Sequence, residues 1–213
     1  MENTLENKKK WGIIKAWLGT GSINVFGRPL SGKDTQAAAI AKYVNGKQLS
    51  GGQILREAAE ADVMAEHDRG ELVTQERYLE TVTPFLKQSE YAGRPLVLSA
   101  VGRWDGEQHA IMQVTKDSNH PLRAVIYLEL SEDQSRARLD RIHSKEHGDR
   151  GKRGDDLHGA LETRFSEFAN KTMPVIDYYD SIGLLIRINA NQSPKAVANA
   201  IRDRLYERAA QNS

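Results

Sequence analysis

At 213 residues the chain is long enough for one domain with a large buried core, and its 39% hydrophobic and 28% charged residues exclude a disordered tail protein. A formal net charge of +1 leaves no global basic field for wrapping DNA or RNA, so any anion must be gripped locally. The absence of cysteine excludes a disulfide framework, a cysteine zinc site and a thiolate nucleophile, and it fits a cytosolic chain.

The first 22 residues read as an extension. Lys8, Lys9 and Lys10 precede Trp11-Gly-Ile-Ile-Lys-Ala-Trp-Leu18, which resembles the start of a signal peptide. The apolar stretch is short, is broken by Lys15 and has no small-residue cleavage motif after it. It reads instead as a short amphipathic helix laid on the domain, which occupies residues 23–213. No apolar run reaches the ~20 residues that span a membrane.

From residue 22 onward, strand and helix patterns alternate. Four runs of continuous apolarity, at 22–27, 95–101, 123–130 and 183–188, predict strands covered on both faces. Helical segments are expected over 35–44, 53–64, 75–87, 132–142, 157–180 and 194–209. This order predicts a doubly wound α/β fold with a parallel sheet. The stretch 143–154 is rich in glycine and charge and reads as an exposed loop. Its His143 and His147, with His158, read as solvated rather than as metal ligands.

The chemistry begins at Gly27-Arg-Pro-Leu-Ser-Gly-Lys33-Asp-Thr35-Gln36, after a strand and at the mouth of a helix. Backbone N–H groups of such a loop converge on phosphate oxygens, and the helix N-terminus adds its positive end. Lys33 then reaches a transferred phosphoryl group as a point charge. The general pattern G-x-x-x-x-G-K-[ST] is missed by one position, because Asp34 fills the Ser/Thr slot.

The loop resembles that of the adenylate kinase family of nucleoside monophosphate kinases, which carries G-x-P-G-x-G-K-G-T-Q, with Leu30 and Asp34 here in place of glycines. Gln48-Leu-Ser-Gly-Gly-Gln-Ile-Leu-Arg56 resembles the family's acceptor segment I-S-T-G-D-x-L-R, and Gly70-Glu-Leu-Val73 its G-x-L-V stretch. Leu98-Ser-Ala-Val-Gly-Arg103 falls where the family has D-G-F-P-R, with Ser99 at the aspartate position. Arg153-Gly-Asp155-Asp156, Arg164 and Pro174-Val-Ile-Asp-Tyr-Tyr179 match R-x-D-D … R … P-x-I-x-Y-Y.

The resemblance implies a P-loop three-layer α/β/α fold with a helical monophosphate-binding segment at about 50–83 and a short lid at about 142–154. It implies Mg²⁺-dependent transfer from ATP to a nucleoside monophosphate, AMP first, in a cytoplasmic monomer with no nucleic-acid or membrane partner. Lys33, Arg103, Arg153 and Arg164 would be the catalytic cations. Gly27, Pro29, Ser31, Gly32, Lys33, Asp34, Thr35, Arg138, Arg141 and Gln192 would hold ATP, with no protein ligand directly on the metal. Ser50, Gly51, Arg56, Leu72, Val73, Arg103, Glu107, Gln108, Arg153 and Arg164 would hold the monophosphate. A UMP- or CMP-type kinase and a non-catalytic nucleotide-binding protein remain as alternatives, the second motivated by Asp34, Gln53 and Ser99.

Overall fold

The computed structural model describes residues 4–58, 75–144 and 158–211. Strands β1 (Ser22–Gly27), β2 (Lys47–Ser50), β3 (Leu96–Ser99), β4 (Leu122–Glu129) and β5 (Leu185–Asn189) form one sheet in the order β2-β3-β1-β4-β5. Every pairing is parallel, and Val25 of β1 sits between Ser99 of β3 and Ile126 of β4. A parallel sheet needs crossover helices, which bury both of its faces. Around it lie α1 (Leu5–Leu18), α2 (Lys33–Val44), α3 (Gly51–Ala58), α4 (Gln75–Leu86), α5 (Glu107–Asp117), α6 (Glu132–Ser144), α7 (His158–Glu167), α8 (Met173–Ser181) and α9 (Pro194–Gln211).

Alternation along each strand sends side chains to two separate cores. Ile23 and Val25 of β1 and Ile126 and Leu128 of β4 pack with α1, α2 and α9 through Ile14, Ile40 and Ile201. Phe26, Val125 and Tyr127 face the other way and meet Phe168, Ile176 and Tyr179. A third cluster joins Leu49, Leu96 and Leu98 to α3 and α4 through Ile54, Tyr78 and Val82. The expected three-layer α/β/α architecture with a parallel sheet is therefore present.

Three expectations need correction. The sheet has a fifth strand, β2, which is only four residues long, at the sheet edge and not uniformly apolar. Helix α5 was also absent from the expected set, because its buried face carries Glu107, Gln108 and Thr115 beside Ile111 and so hides the apolar period. The single helix expected over 157–180 is interrupted by a π-helical turn, Phe168–Thr172, which turns Phe168 under the sheet and splits α7 from α8.

The N-terminal helix is integral to the packing. Trp11, Ile14 and Leu18, at helical spacing, are buried in the main core. Trp11 stacks on Tyr43 at 4.8 Å, and Lys10 pairs with Asp203 of α9 at 3.0 Å. Among the described residues, no helix is long and apolar enough to cross a membrane.

Candidate active site

In open parallel sheets, ligands bind outside the carboxyl ends of the strands. The loop between β1 and α2 lies at that edge, and its close turns are sterically enforced. A Cβ on Gly27 would collide with the Ser31 hydroxyl, so only glycine permits Ser31 to fold over the end of β1. Ser31 is 3% exposed, yet its Oγ has no hydrogen-bond partner. A buried hydroxyl without a partner inside a loop of convergent N–H groups suits a phosphate oxygen, the donor set that a bound nucleotide requires.

Lys33 opens α2 with its side chain only 16% exposed, and its Nζ lies 3.6 Å from Asp34 Oδ2. Asp34 is gripped from two sides. Ser99 Oγ donates to Asp34 Oδ1 at 2.7 Å, and Gln48 Nε2 donates to the Asp34 carbonyl at 3.2 Å. Gln36 is buried and donates to the Pro194 carbonyl, which ties α2 to the start of α9. Pro29 is buried and Thr35 is exposed.

The turn after β3 carries Arg103. Asn24, a polar residue inside the apolar run of β1, clamps this turn by donating to the Val101 carbonyl at 2.7 Å. Tyr78 of α4 accepts from the Gly102 N–H at 3.0 Å. Desolvation lowers the pKa of Arg103, and the nearby positive charge of Arg164 lowers it further. Two half-buried guanidinium groups from distant parts of the chain therefore lie near enough for their charges to interact. Like charges held together in this way favour a shared anion between them.

Glu107 and Gln108, expected to line the base pocket, are 1% and 2% exposed and bonded within the turn. Glu107 Oε2 accepts from the Arg103 and Trp104 N–H groups at 2.7 and 3.0 Å. Gln108 Oε1 accepts from Gly106 N, and its amide donates to Asp105. Both side chains shape the arginine-bearing turn. Burial raises the Glu107 carboxyl to about 7, against the two N–H bonds and the Arg103 charge, which favour ionisation.

Arg138, expected to face the donor nucleotide, donates from Nη1 to the Leu30 carbonyl at 2.9 Å and from Nη2 to the Ala190 carbonyl. It braces the phosphate loop against the end of β5, and Arg141 is near enough to lower its pKa further below the effect of burial. Gln192 is exposed and donates to the Asn189 carbonyl just past β5. Ser50 Oγ accepts from Gln53 N at 3.0 Å and so caps α3. Gly51 has no room for a side chain, since a Cβ there would lie 2.5 Å from the Ala100 carbonyl. Arg56 is exposed in the last turn of α3. Leu72, Val73 and Arg153 lie outside the described residues, as do Asp155 and Asp156.

Sequence reasoning missed Asn24, Tyr78 and the Ser99–Asp34 bond. Asn24 alone gave a signal, as a polar residue within an apolar strand. A groove of about 950 Å³ lined by Trp17, Leu122, Leu184 and Arg208 lies at the amino ends of β4 and β5, away from this edge.

Comparison with known proteins finds a single family. A family model described as Adenylate kinase matches residues 25–184. A protein of Synechococcus sp. named Adenylate kinase is 31% identical over 182 residues, covering 83% of this chain and 93% of its own length. One of Prochlorococcus marinus with the same name is 29% identical over 186 residues, covering 84% and 96%. A third, from Leptospira biflexa, is 28% identical over 182 residues, covering 83% and 95%.

Proposed function

Because this chain belongs to the adenylate kinase family, and is thus a nucleoside monophosphate kinase that uses ATP with Mg²⁺, we propose that AMP is its acceptor. The reaction is ATP + AMP = 2 ADP. The observation that carries the site assignment is the Ser99–Asp34 bond, which joins the strand end before the Arg103 turn to the phosphate loop whose buried Ser31 hydroxyl lacks a partner.

In this reading the loop from Gly27 to Thr35 holds the donor phosphates, with Ser31 and Lys33 as side-chain contacts. Arg56 and Arg103 hold the acceptor phosphate. Lys33, Arg103, Arg153 and Arg164 offset charge on the phosphoryl group as it moves. Arg138, Glu107 and Gln108 act one step back, by fixing the loop and the turn. Bound Mg²⁺ supplies neutralisation of the donor phosphates, and a carboxylate beside the loop suits that cation's hydration shell. No general base is needed, because a loose phosphoryl transition state is served by position and charge.

We read the chain as a cytoplasmic monomer. The lack of cysteine suits a reducing compartment. Among the described residues, the large apolar side chains left exposed are Leu5, Tyr43 and Ile182, on three different segments. A coupled assay with ATP and each of AMP, UMP, CMP and GMP tests the acceptor. AMP turning over at least tenfold faster than the others, judged by kcat/KM, supports the proposal. Preference for a pyrimidine monophosphate would replace it with the UMP/CMP reading.

A further inference from the structure

We propose that Asp34 is the carboxylate that orders the hydration shell of the nucleotide-bound divalent cation, and that Ser99 aims it. The proposal rests on the reading that the β1–α2 loop holds the donor phosphates.

Asp34 occupies the first turn of α2, next to the lysine of the phosphate loop. A carboxylate in that position repels the four negative charges of ATP unless a cation stands between them. The structure also shows it held at both ends. Its Oδ1 accepts the Ser99 hydroxyl at 2.7 Å and its Oδ2 faces the Lys33 ammonium at 3.6 Å, while the backbone carbonyl accepts from Gln48. Ser99 is 1% exposed, whereas the Asp34 side chain is 45% exposed, so the hydroxyl is a fixed strut and the carboxylate looks outward. The partnerless, buried Ser31 hydroxyl marks the same loop as built for an anion.

Among the described residues, two further acidic groups near this edge are committed elsewhere. Glu132 pairs with Arg28 at 3.2 Å and lies 4.0 Å from Arg136. Glu107 is buried behind the Arg103 turn and bonds to its N–H groups. Magnesium keeps several of its waters and typically takes one or two carboxylates beside substrate phosphates. A single outward carboxylate at the loop meets that need through water. Ser99 ends β3 at the sheet's carboxyl edge, a position from which an aspartate could also reach the loop. The polar pair Ser99–Asp34 therefore places on the helix a charge that the strand end could equally have carried.

The test is ATP binding without turnover, by calorimetry on the intact chain, with excess Mg²⁺ and with excess chelator. Binding of ATP in excess Mg²⁺ reads the phosphate-loop assignment, and its absence there in the parent protein would overturn that assignment rather than this one. Asp34→Asn keeps the size and an acceptor for Ser99. It is expected to tighten Mg²⁺-free ATP several-fold and to shrink the Mg²⁺ enhancement of binding by about tenfold, within the usual range for coupled ligands. The exchange Asp34→Gly with Ser99→Asp is expected to regain the enhancement. Asp34→Asn retaining the parent's Mg²⁺ preference, or weakening both arms equally as a mere scaffold contact would, overturns the proposal.

Discussion

Arg138 donates to the Leu30 carbonyl at 2.9 Å, so a helix from the second half of the chain holds the phosphate loop by its one non-glycine residue of positive φ. Leu30 has φ of 64°, a region that costs an L-residue roughly 1–2 kcal/mol. Its side chain packs against Leu139, Leu161 and Phe165, which offsets part of that strain. Leu30→Ala loses the packing and keeps the strain, whereas Leu30→Gly loses the packing and relieves it. Urea midpoints should therefore place Leu30→Ala no higher than Leu30→Gly, even though glycine usually costs about 0.5–1 kcal/mol of chain entropy. A clearly more stable alanine variant would contradict the strained-loop reading.

The carboxyl of Glu107 gives a pH dependence whose sign follows from burial. Its pKa is raised from 4.5 to about 7, mainly by desolvation. Between those values the unfolded chain has released a proton that the folded protein keeps. Stability from this group therefore falls as pH rises through that window and is level above it. Each pKa unit is about 1.4 kcal/mol, so the loss is on the order of 3–4 kcal/mol. Glu107→Gln mimics the protonated form, can still accept from Arg103 N and Trp104 N, and removes the slope. Thermal melts at pH 5 and pH 8 should show variant and parent alike at the lower pH, with the variant more stable at the higher. A parent slope that persists in the variant would place its source elsewhere.

The N-terminal helix is open to a similar test. Ile14 is fully buried against the sheet-facing core, and deleting a buried isoleucine to alanine typically costs about 2–5 kcal/mol. Ile14→Ala should lower the unfolding free energy by that much in denaturant titrations. A loss under about 0.5 kcal/mol, as at a surface position, would show the helix to be a loosely attached extension.

Much of the fold was legible because buried parallel strands announce themselves as continuous apolar runs, as at β1, β3, β4 and β5. β2 was not, since four residues at an edge carry too little pattern. Helix α5 was hidden for a chemical reason. Its inward Glu107, Gln108 and Thr115 are satisfied by hydrogen bonds, so polar residues occupy places where a period search looks for apolar ones. The phosphate loop was readable because its glycine and lysine are neighbours in sequence. The role of Asp34 was not, because its partner Ser99 lies 65 residues away and only the β1–β3 pairing brings the two together. Likewise, nothing in the spacing of Arg138 foretold that it brings two of its donors to the carbonyls of Leu30 and Ala190.

The most direct test of the account is the steady-state kinetics of Arg103→Ala, with ATP and AMP varied separately. Arg103 sits on the turn after β3, near enough to Arg164 for their charges to interact, and on a different segment from the β1–α2 loop assigned to ATP. A lost hydrogen bond to a charged group costs about 1.5–3 kcal/mol, and each 1.4 kcal/mol is about tenfold. The KM for AMP should rise about ten- to a hundredfold, kcat should fall, and the KM for ATP should stay within about twofold. A weakened ATP with an unchanged KM for AMP would contradict the account, because donor and acceptor would then have exchanged places.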